Sequence, residues 1–265
     1  MSSRNNSNKI TLFVITYNEE ENIKQLFKSF KWVDDITIVD SFSEDNTIKI
    51  AKKFTNKIYL NKFINFQKQR NFSLNKIKSK WILMIDADEV LSPGSKFIIQ
   101  ELIKDKSVDG YWFPRRQYIN KCTYLKFGYF YPDWQLRLFR NDKGYMFKGL
   151  IHERIAIPEN KTKFVKNVEI YHNPSRSKYN SFKSFFRFVK YIQIEGKEVS
   201  KEEISNLNLL KNILIETVRH SFRSFIRKKG YLDGYNGFRA AINFGFYQGG
   251  IALYALLFRL NILKK

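Results

Sequence analysis

The chain has few of the residues that define several common protein classes. Cys122 is its single cysteine, so an internal disulfide framework of the kind found in small secreted proteins is excluded. It has only three histidines and five prolines. The first eight residues are polar, and no apolar stretch precedes a small-residue cleavage site. We therefore expect a protein of a reducing, cytoplasmic compartment.

Two nucleotide-binding fingerprints are also missing from the sequence. Neither G-x-G-x-x-G nor G-x-x-x-x-G-K-[ST] occurs, which disfavours dinucleotide-binding and P-loop proteins. A nucleotidyltransferase is disfavoured as well, because no Gly-rich loop bearing Lys and Arg follows the first predicted strand. There is no internal repeat or low-complexity tract, and the 17% aromatic content excludes global disorder.

The charge that is present is positive and unevenly distributed. The net charge is +22, but residues 1–110 hold 18 basic and 14 acidic residues, whereas 111–265 hold 29 and 11. The first part resembles an ordinary enzyme domain, and the second should attract nucleic acid, an anionic membrane surface or phosphate-bearing substrates. A nucleic-acid-binding protein without catalytic activity is the alternative function. It would need a reading helix, zinc ligands or an RNA-binding aromatic strand pattern, and none is visible.

Apolar runs alternate with helical patterns over the first hundred residues. The predicted strands are Ile10–Ile15, Ile36–Val39, Ile58–Leu60 and Trp81–Ile85, and helices are predicted around 23–30, 45–54, 65–77 and 95–103. Asn18 is a candidate N-cap for the first helix. The alternation predicts an α/β fold with a mostly parallel central sheet and helices on both faces.

The remainder of the chain divides into two further parts. Shorter strands are predicted at 111–115, 135–139, 150–157 and 168–172, followed by helices near 181–196, 201–225 and 237–260. We therefore expect a catalytic domain over 1–175 with halves 9–110 and 111–175. A basic helical C-terminal region should cover 176–265.

Polar side chains follow the predicted strands at the points where the strands end. The carboxyl ends of parallel strands meet at one edge of a sheet, so these side chains should line one crevice. They are Asn18 and Glu19 after the first strand, Asp40 after the second, and Asp86 and Asp88 after the fourth. Two adjacent carboxylates are costly without a cation, and Mg²⁺ or Mn²⁺ suits carboxylates completed by substrate phosphates. A solvated turn is the alternative reading of Asp86 and Asp88.

These motifs together resemble a known family. The segments Thr16-Tyr17-Asn18-Glu19, Val39-Asp40-Ser41, Asp45-Asn46-Thr47, Arg70-Asn71 and Asp86-Ala87-Asp88 look like family 2 glycosyltransferases. Segments 131–140 and 149–153 are similar to the lipopolysaccharide-core glucosyltransferase branch. The resemblance covers roughly residues 9–172. It implies a GT-A-like fold and an inverting transfer from a nucleotide-diphosphate sugar, with a UDP-sugar favoured.

The resemblance and the polar faces of neighbouring segments assign roles to individual residues. The expected substrate-binding residues are Thr16, Tyr17, Asn18, Glu19, Asp40, Gln67, Arg70, Asn71, Asp86 and Arg137. Asp88 and His152 are expected at the metal, Mg²⁺ or Mn²⁺. A structural role is the alternative for His152, and His172 and His220 are interpreted as structural or surface residues.

Inverting transfer also needs a carboxylate that deprotonates the acceptor hydroxyl. Asp133 and Glu153 are the two candidates. Asp133 is preferred, because many family members carry the base before a Trp-rich helix and Asp133 matches that place. An N-cap of the segment starting at Trp134 is the alternative role for Asp133.

Basic and aromatic residues alternate on the predicted C-terminal helices. This pattern suits the surface of an anionic membrane, although a helical appendage covering the sheet is the alternative. The uncharged stretch 240–258 approaches the length of a membrane span, but glycines, Asn243 and Gln248 interrupt it. An interfacial or packed helix is therefore favoured. We expect a saccharide or glycolipid acceptor in bacterial surface-glycan synthesis, covering lipopolysaccharide, lipooligosaccharide or capsule, at the inner face of the cytoplasmic membrane.

Overall fold

The computed structural model describes residues 8–119, 123–149, 153–172 and 181–263, with the backbone only for 181–185 and 187. The chain forms two compact units. The first contains Met1–Tyr118 and Asp133–Ser175, and the second contains Ile119–Pro132 and Arg176–Lys265. The sequence prediction placed 119–132 in the first domain, whereas the structure groups this segment with the C-terminal helices.

The first unit alternates strands and helices in its N-terminal part and is mainly strand afterwards. Its described strands are β1 (Ile10–Thr16), β2 (Asp35–Asp40), β3 (Ile58–Leu60), β4 (Trp81–Met84), β5 (Glu89–Leu91), β6 (Gly110–Gln117), β7 (Asp133–Arg140), β8 (Phe147–Lys148), β9 (Arg154–Ile155), β10 (Thr162–Phe164) and β11 (Ile170–His172). Its described helices are α1 (Glu20–Ser29), α2 (Thr47–Ala51), α3 (Phe66–Leu74) and α4 (Ser95–Leu102).

Most of these strands belong to one sheet. Within the described ranges the order is β3-β2-β1-β4-β7-β6-β11-β5, with β10 also paired to β6. The pairs β1–β2, β1–β4, β2–β3, β6–β10 and β6–β11 are parallel. The pairs β4–β7, β6–β7 and β5–β11 are antiparallel. The predicted α/β class with a mostly parallel central sheet is confirmed.

The sheet has a hydrophobic core on each face. Alternate residues of β1 point to opposite faces, so Leu12 packs on the side of Ile23 in α1, while Phe13 packs on the side of Leu74 in α3. All four side chains are buried. Because helices cover both faces, β1 requires a nearly continuous apolar sequence, which is the signal that predicted it.

Some local predictions were wrong. Asn18 does not cap α1: it has a left-handed φ of 53°, and its Oδ1 accepts a hydrogen bond from the Glu44 backbone N–H. The N-cap position belongs to Glu19. Strand structure in the predicted 150–157 segment is limited, among described residues, to β9, and 150–152 lie outside the described ranges.

The described part of the second unit is built from three long helices, α5 (Ser181–Val199), α6 (Asn206–Phe222) and α7 (Gly234–Arg259). The predicted helical C-terminal region is confirmed. A Cβ atom at Gly245 of α7 would lie 2.0 Å from Ser221 Oγ of α6, and one at Gly249 would lie 2.0 Å from Thr217 Oγ1. Only glycine therefore permits this close approach of the two helices.

Residues 126–128 are tied to the stretch that connects α6 to α7. Asp233 Oδ2 accepts hydrogen bonds from the backbone N–H groups of Lys126 and Phe127, both at 2.9 Å. The N–H of Gly128 donates to the carbonyl of Lys228. Among the described residues, the helical stretch Gly230–Arg259 alone passes the length and hydropathy test for a membrane span, with 39% of its apolar window buried.

Candidate active site

One edge of the sheet collects the termini of eight strands. The parallel strands β1, β2, β3 and β4 end there, and antiparallel β7 begins there. Since β6 and β11 run parallel to β4, they also end at this edge, and β5 begins there opposite β11. The polar residues at or beside these strand ends are Thr16, Asp40, Asp86, Asp88, Glu89, Arg115, Gln117, Asp133 and His172.

Asp40 is the centre of the β1–β2 side of this edge. Its carboxylate is fully buried. Oδ2 accepts hydrogen bonds from Thr16 Oγ1 at 2.7 Å and Ser43 Oγ at 2.6 Å, and Oδ1 accepts from the Ser43 N–H at 2.7 Å. These donors are neutral. Tyr17, the next residue after β1, is 53% exposed.

The loops after β1 and β2 are joined by further hydrogen bonds. The N–H of Asn18 donates to Ser43 Oγ at 2.9 Å, in addition to the bond between Asn18 Oδ1 and the Glu44 N–H. The N–H of Glu19 donates to Thr47 Oγ1 at 2.7 Å. The predicted residues Asn18 and Glu19 therefore fix the shape of this loop pair.

Arg137 is the centre of the β4–β7 side. Its side chain is only 2% exposed, and Nη2 donates to Asp86 Oδ2 and to Glu89 Oε1, both at 2.7 Å. Burial alone would raise the pKa of Asp86, but the charges of Arg137 and Arg70 outweigh it and hold that pKa well below its ordinary value. Asp86 is therefore a carboxylate at neutral pH, and Arg137 acts on it from inside the protein.

Asp133 is the first residue of β7, and it lies opposite Arg115 of β6. It therefore caps no helix, and the strand predicted at 135–139 is present as part of β7. Its Oδ2 accepts from Arg115 Nε at 2.8 Å, Arg115 Nη2 at 2.7 Å and Gln117 Nε2 at 2.9 Å, and its Oδ1 accepts from Gln135 Nε2 at 2.7 Å. Burial raises the pKa of Asp133, but Arg115 and these donors lower it overall.

Glu89 connects the two acidic residues singled out by the sequence. It is fully buried, and its Oε1 binds Arg137 at 2.7 Å and Arg115 Nη1 at 3.2 Å. A continuous set of ion pairs thus runs from Asp86 through Glu89 to Asp133. Sequence reasoning missed Glu89, Arg115 and Gln117. The i, i+2 spacing of Arg115 and Gln117 at the end of an apolar strand was the available signal.

Arg70 of α3 approaches the same centre from a helix. Its Nη1 lies 2.6 Å from Glu153 Oε1, and its Nη2 lies 3.5 Å from Asp86 Oδ1. Arg70 Nε and Glu153 Oε2 are buried polar atoms without a hydrogen-bond partner. The structure thus brings together Arg70, Glu153 and Asp86, as the sequence prediction requires.

Gln67 and Asn71 lie on the same helix but contact the backbone of Phe147. Asn71 Nδ2 donates to the Phe147 carbonyl at 3.0 Å, and the Phe147 N–H donates to Asn71 Oδ1 at 2.8 Å. Gln67 Nε2 donates to the same carbonyl at 3.2 Å. Their amides hold β8 against α3, which differs from the direct substrate contact expected from the sequence.

Asp88 and His172 form a pair that the sequence did not predict. His172 Nδ1 lies 2.7 Å from Gln117 Oε1, an atom that can only accept, so Nδ1 carries the hydrogen. In the neutral ring, Nε2 then has a free lone pair, and this atom lies 3.5 Å from Asp88 Oδ2. Two ligand atoms that lie 3.5 Å apart can both bind one cation at metal–ligand distances of about 2.0–2.1 Å. The pair therefore fits a divalent metal completed by substrate phosphates.

His152, the predicted metal ligand, lies outside the described residues. In the parts of the chain that are described, no group of three or more His, Cys, Asp or Glu side chains is arranged to hold a metal. His172, interpreted from the sequence as a structural or surface residue, has its ring between Gln117 and Asp88 at the end of β11.

Comparison with known proteins identifies the family. Residues 11–186 match the family model for glycosyl transferase family 2. The chain belongs to this family. It is accordingly a glycosyltransferase, and its central sheet and helices agree with the GT-A-like fold implied by the sequence motifs.

Two curated relatives and one solved structure illustrate the similarity. An uncharacterised glycosyltransferase of Rickettsia bellii is 26% identical over 246 residues, which cover 90% of this chain and 83% of the relative. The lipopolysaccharide core biosynthesis glycosyltransferase LpsC of Rhizobium meliloti is 28% identical over 161 residues, 57% of each chain. Residues 1–349 of TarS of S. aureus, crystallised with UDP-GlcNAc, are 13% identical with a TM-score of 0.46, covering 97% of this chain and 92% of that one.

Proposed function

We propose that this glycosyltransferase moves a sugar, with inversion, from a nucleotide-diphosphate sugar to a saccharide or glycolipid acceptor. The observation that carries the proposal is the meeting of a buried hydroxyl-bound carboxylate, an arginine–carboxylate network and the Asp88–His172 pair at one edge of the sheet. A UDP-sugar is the favoured donor. Family membership favours this enzyme over the nucleic-acid-binding alternative.

The loop pair around Asp40 is assigned to the nucleoside. Asp40 is fully buried and holds the loops in place, while the hydroxyl, amide and carboxylate groups of the loops suit hydrogen bonding to a base and a ribose. Tyr17, which is half exposed, supplies an aromatic surface beside it. The loops are already fixed by their mutual hydrogen bonds, so little conformational freedom is lost on binding.

The network of arginines and carboxylates around Arg137 and Arg70, here called the charged centre, is assigned to the diphosphate. Arg70 is the candidate for direct contact, because its Nε has no protein partner and its side chain is not fully enclosed. Arg137 is almost completely buried and already shared by two carboxylates. We therefore assign Arg137 to positioning Asp86, which differs from the direct contact predicted from the sequence.

Asp88 and His172 would hold Mg²⁺ or Mn²⁺, and His152 stays a candidate third ligand. When bound, the cation supplies positive charge that stabilises the departing diphosphate. Gln117 fixes the ring of His172 through Nδ1 and binds Asp133 through its amide nitrogen. One amide thus orients a metal candidate and a base candidate together.

Asp133 is the proposed base. Its side chain is 26% exposed, whereas that of Glu153 is 8% exposed, so Asp133 is more accessible to an acceptor hydroxyl. Its low pKa keeps it deprotonated at neutral pH. Arg115, Gln117 and Gln135 hold the carboxylate in one orientation, which is what a positioned proton acceptor needs.

The similarity to LpsC supports an acceptor in cell-surface glycan synthesis, in lipopolysaccharide, lipooligosaccharide or capsule. A lipid-linked acceptor and the basic second unit together support a peripheral site of action at the inner face of the cytoplasmic membrane. The proposed location at the membrane depends on the class of the acceptor, and it does not depend on which sugar nucleotide is the donor.

A thermal-shift panel of UDP-, GDP-, CMP- and ADP-sugars, with and without Mn²⁺, tests the donor and the metal. A ligand that binds only the folded protein raises its melting temperature. We expect a UDP-sugar to stabilise the protein more with Mn²⁺ than without it. Asp88→Asn and His172→Gln should remove the Mn²⁺-dependent part, while the control Asp142→Asn keeps it. No shift with any sugar nucleotide would overturn the proposal.

A further inference from the structure

Two helices of the second unit each leave a row of apolar side chains in solvent. On α6 the row contains Leu210, Leu214, Val218 and Phe222, and on α7 it contains Tyr235, Phe246 and Leu253. We call these seven residues the hairpin face. Leu214 is 70% exposed and Phe246 is 61% exposed. Contiguous exposed apolar patches of this kind mark interaction or membrane surfaces.

The two rows lie on the same side of the helix pair. Thr217 and Ser221 of α6 contact Gly249 and Gly245 of α7, so the helices are antiparallel. On α6 each exposed residue directly follows a contact residue, as Phe222 follows Ser221, and it is therefore rotated by about 100° from the contact direction.

The same offset holds on α7, because Phe246 directly follows Gly245. Leu253 lies seven residues further along, on the same side of the helix. Each row is thus rotated by the same angle from the line that joins the two helix axes. Because the helices are antiparallel, this rotation points both rows to the same side of the pair. The α6 and α7 rows consequently form one broad apolar surface.

The charge around this surface is strongly positive. Residues 206–259 contain eight basic and two acidic residues. Both acidic residues are engaged within the unit: Glu216 pairs with Arg219 and His220, and Asp233 accepts from the backbone of 126 and 127. Lys211 on α6 and Arg223, the residue directly after α6, are exposed. A second copy of the chain would bring like charges together, whereas an anionic surface would neutralise them.

We propose that the hairpin face is a docking surface for an anionic lipid bilayer, with α6 and α7 lying in the plane of the interface. Apolar side chains enter the boundary between headgroups and acyl chains, and the flanking basic residues bind the headgroups. The close glycine packing keeps both helices in one layer. This inference extends the proposed glycolipid acceptor and rests on the proposed function only in placing the enzyme beside that acceptor.

Vesicle flotation with the full chain tests the docking surface. Vesicles of phosphatidylcholine alone are compared with equal parts of phosphatidylcholine and phosphatidylglycerol, without donor or acceptor. We expect binding to the anionic vesicles only. The double variant F222Q/F246Q should weaken binding at least about tenfold, because it removes two inserted rings. The control F97Q changes a 69% exposed ring of the first unit and should bind like the wild type.

A charge variant separates the two contributions. K211Q/R223Q should weaken binding to anionic vesicles by about fivefold for each charge removed. The control K28Q/K53Q removes two exposed lysines of the first unit and should leave binding unchanged. Unchanged melting temperatures establish that the surface variants are folded.

Three results would overturn the proposal. Equal binding by F222Q/F246Q and the wild type would exclude the hairpin face. Self-association in sedimentation that F222Q/F246Q abolishes, without vesicle binding, would show that a second copy covers the face. Resistance to alkaline carbonate washing would show a spanning helix. The donor-dependent thermal shift is measured without vesicles, so a failure of docking and a failure of the proposed reaction are distinguishable.

Discussion

Two carboxylate centres lie at the same edge of the sheet, and they are stabilised in different ways. Asp40 is fully buried, and its described hydrogen-bond donors are neutral hydroxyls and one backbone N–H. Asp86 and Asp133 are held by arginines that Glu89 links together. The neutral centre fixes the shape of two loops, whereas the charged centre fixes the protonation state of two acids. Four measurements test this difference.

The largest expected effect is on catalysis in the charged centre. Asp133→Asn keeps the size of the side chain but removes the proton acceptor, so kcat should fall about 10²–10⁴-fold. The rate of nucleotide release in the presence of a glycolipid acceptor measures it. Glu153→Gln is the matched variant and should lose less. A greater loss for Glu153→Gln would assign the base to Glu153.

The next effect is on stability. Arg137→Met takes from the fully buried Glu89 the closer of its two arginine partners, so unfolding should become easier by about 3–5 kcal/mol. Arg140→Met on the same strand is the control, and it should cost less because its partner Asp142 is 39% exposed and can be solvated. Urea denaturation measures both. Equal losses would contradict the importance of the buried network.

A third effect concerns pH. The pKa values of Asp86 and Asp133 are lower in the folded protein than in the unfolded chain, so their stabilisation is complete above about pH 3.9 and is lost as pH falls through the folded values. Each unit by which the pKa in the folded protein lies below that in the unfolded chain contributes about 1.4 kcal/mol to the free energy of unfolding. Asp133→Asn should therefore lose less stability on acidification than the wild type. Denaturant titrations at a series of acidic pH values measure the free energy of unfolding of both proteins. An equal loss of this free energy in the variant and the wild type would refute the assignment.

The smallest effect distinguishes two buried threonines. Thr16→Val removes a hydroxyl that donates to Asp40 and should cost about 1 kcal/mol. Thr37→Val, on the neighbouring strand, removes a buried hydroxyl that has no partner and should be neutral or stabilising. Thermal denaturation of the two variants gives the comparison. A greater loss of stability for Thr37→Val than for Thr16→Val would contradict the stabilisation of Asp40 by the Thr16 hydroxyl.

The sequence predicted the sheet better than the contacts within the site. Strands such as β1 and β4 are covered on both faces, so their apolar runs are unambiguous. The partners of Asp133 depend on the register between β6 and β7, which no local pattern specifies. His172 meets Asp88 only because β11 pairs with β5 and β6, far away in sequence. For the same reason the sequence did not reveal the role of Glu89.

The hydrogen bonds between Asp233 and the segment 119–132 have a consequence for the order of synthesis. Lys126 and its partner Asp233 are 107 residues apart. At a translation rate of roughly 5–20 residues per second, the segment waits about 5–20 s for its partner to be made. During that interval β7, which directly follows the segment, can already be synthesised and join β4 and β6. The first unit can therefore assemble its sheet around a loop whose contacts with Lys228 and Asp233 form later.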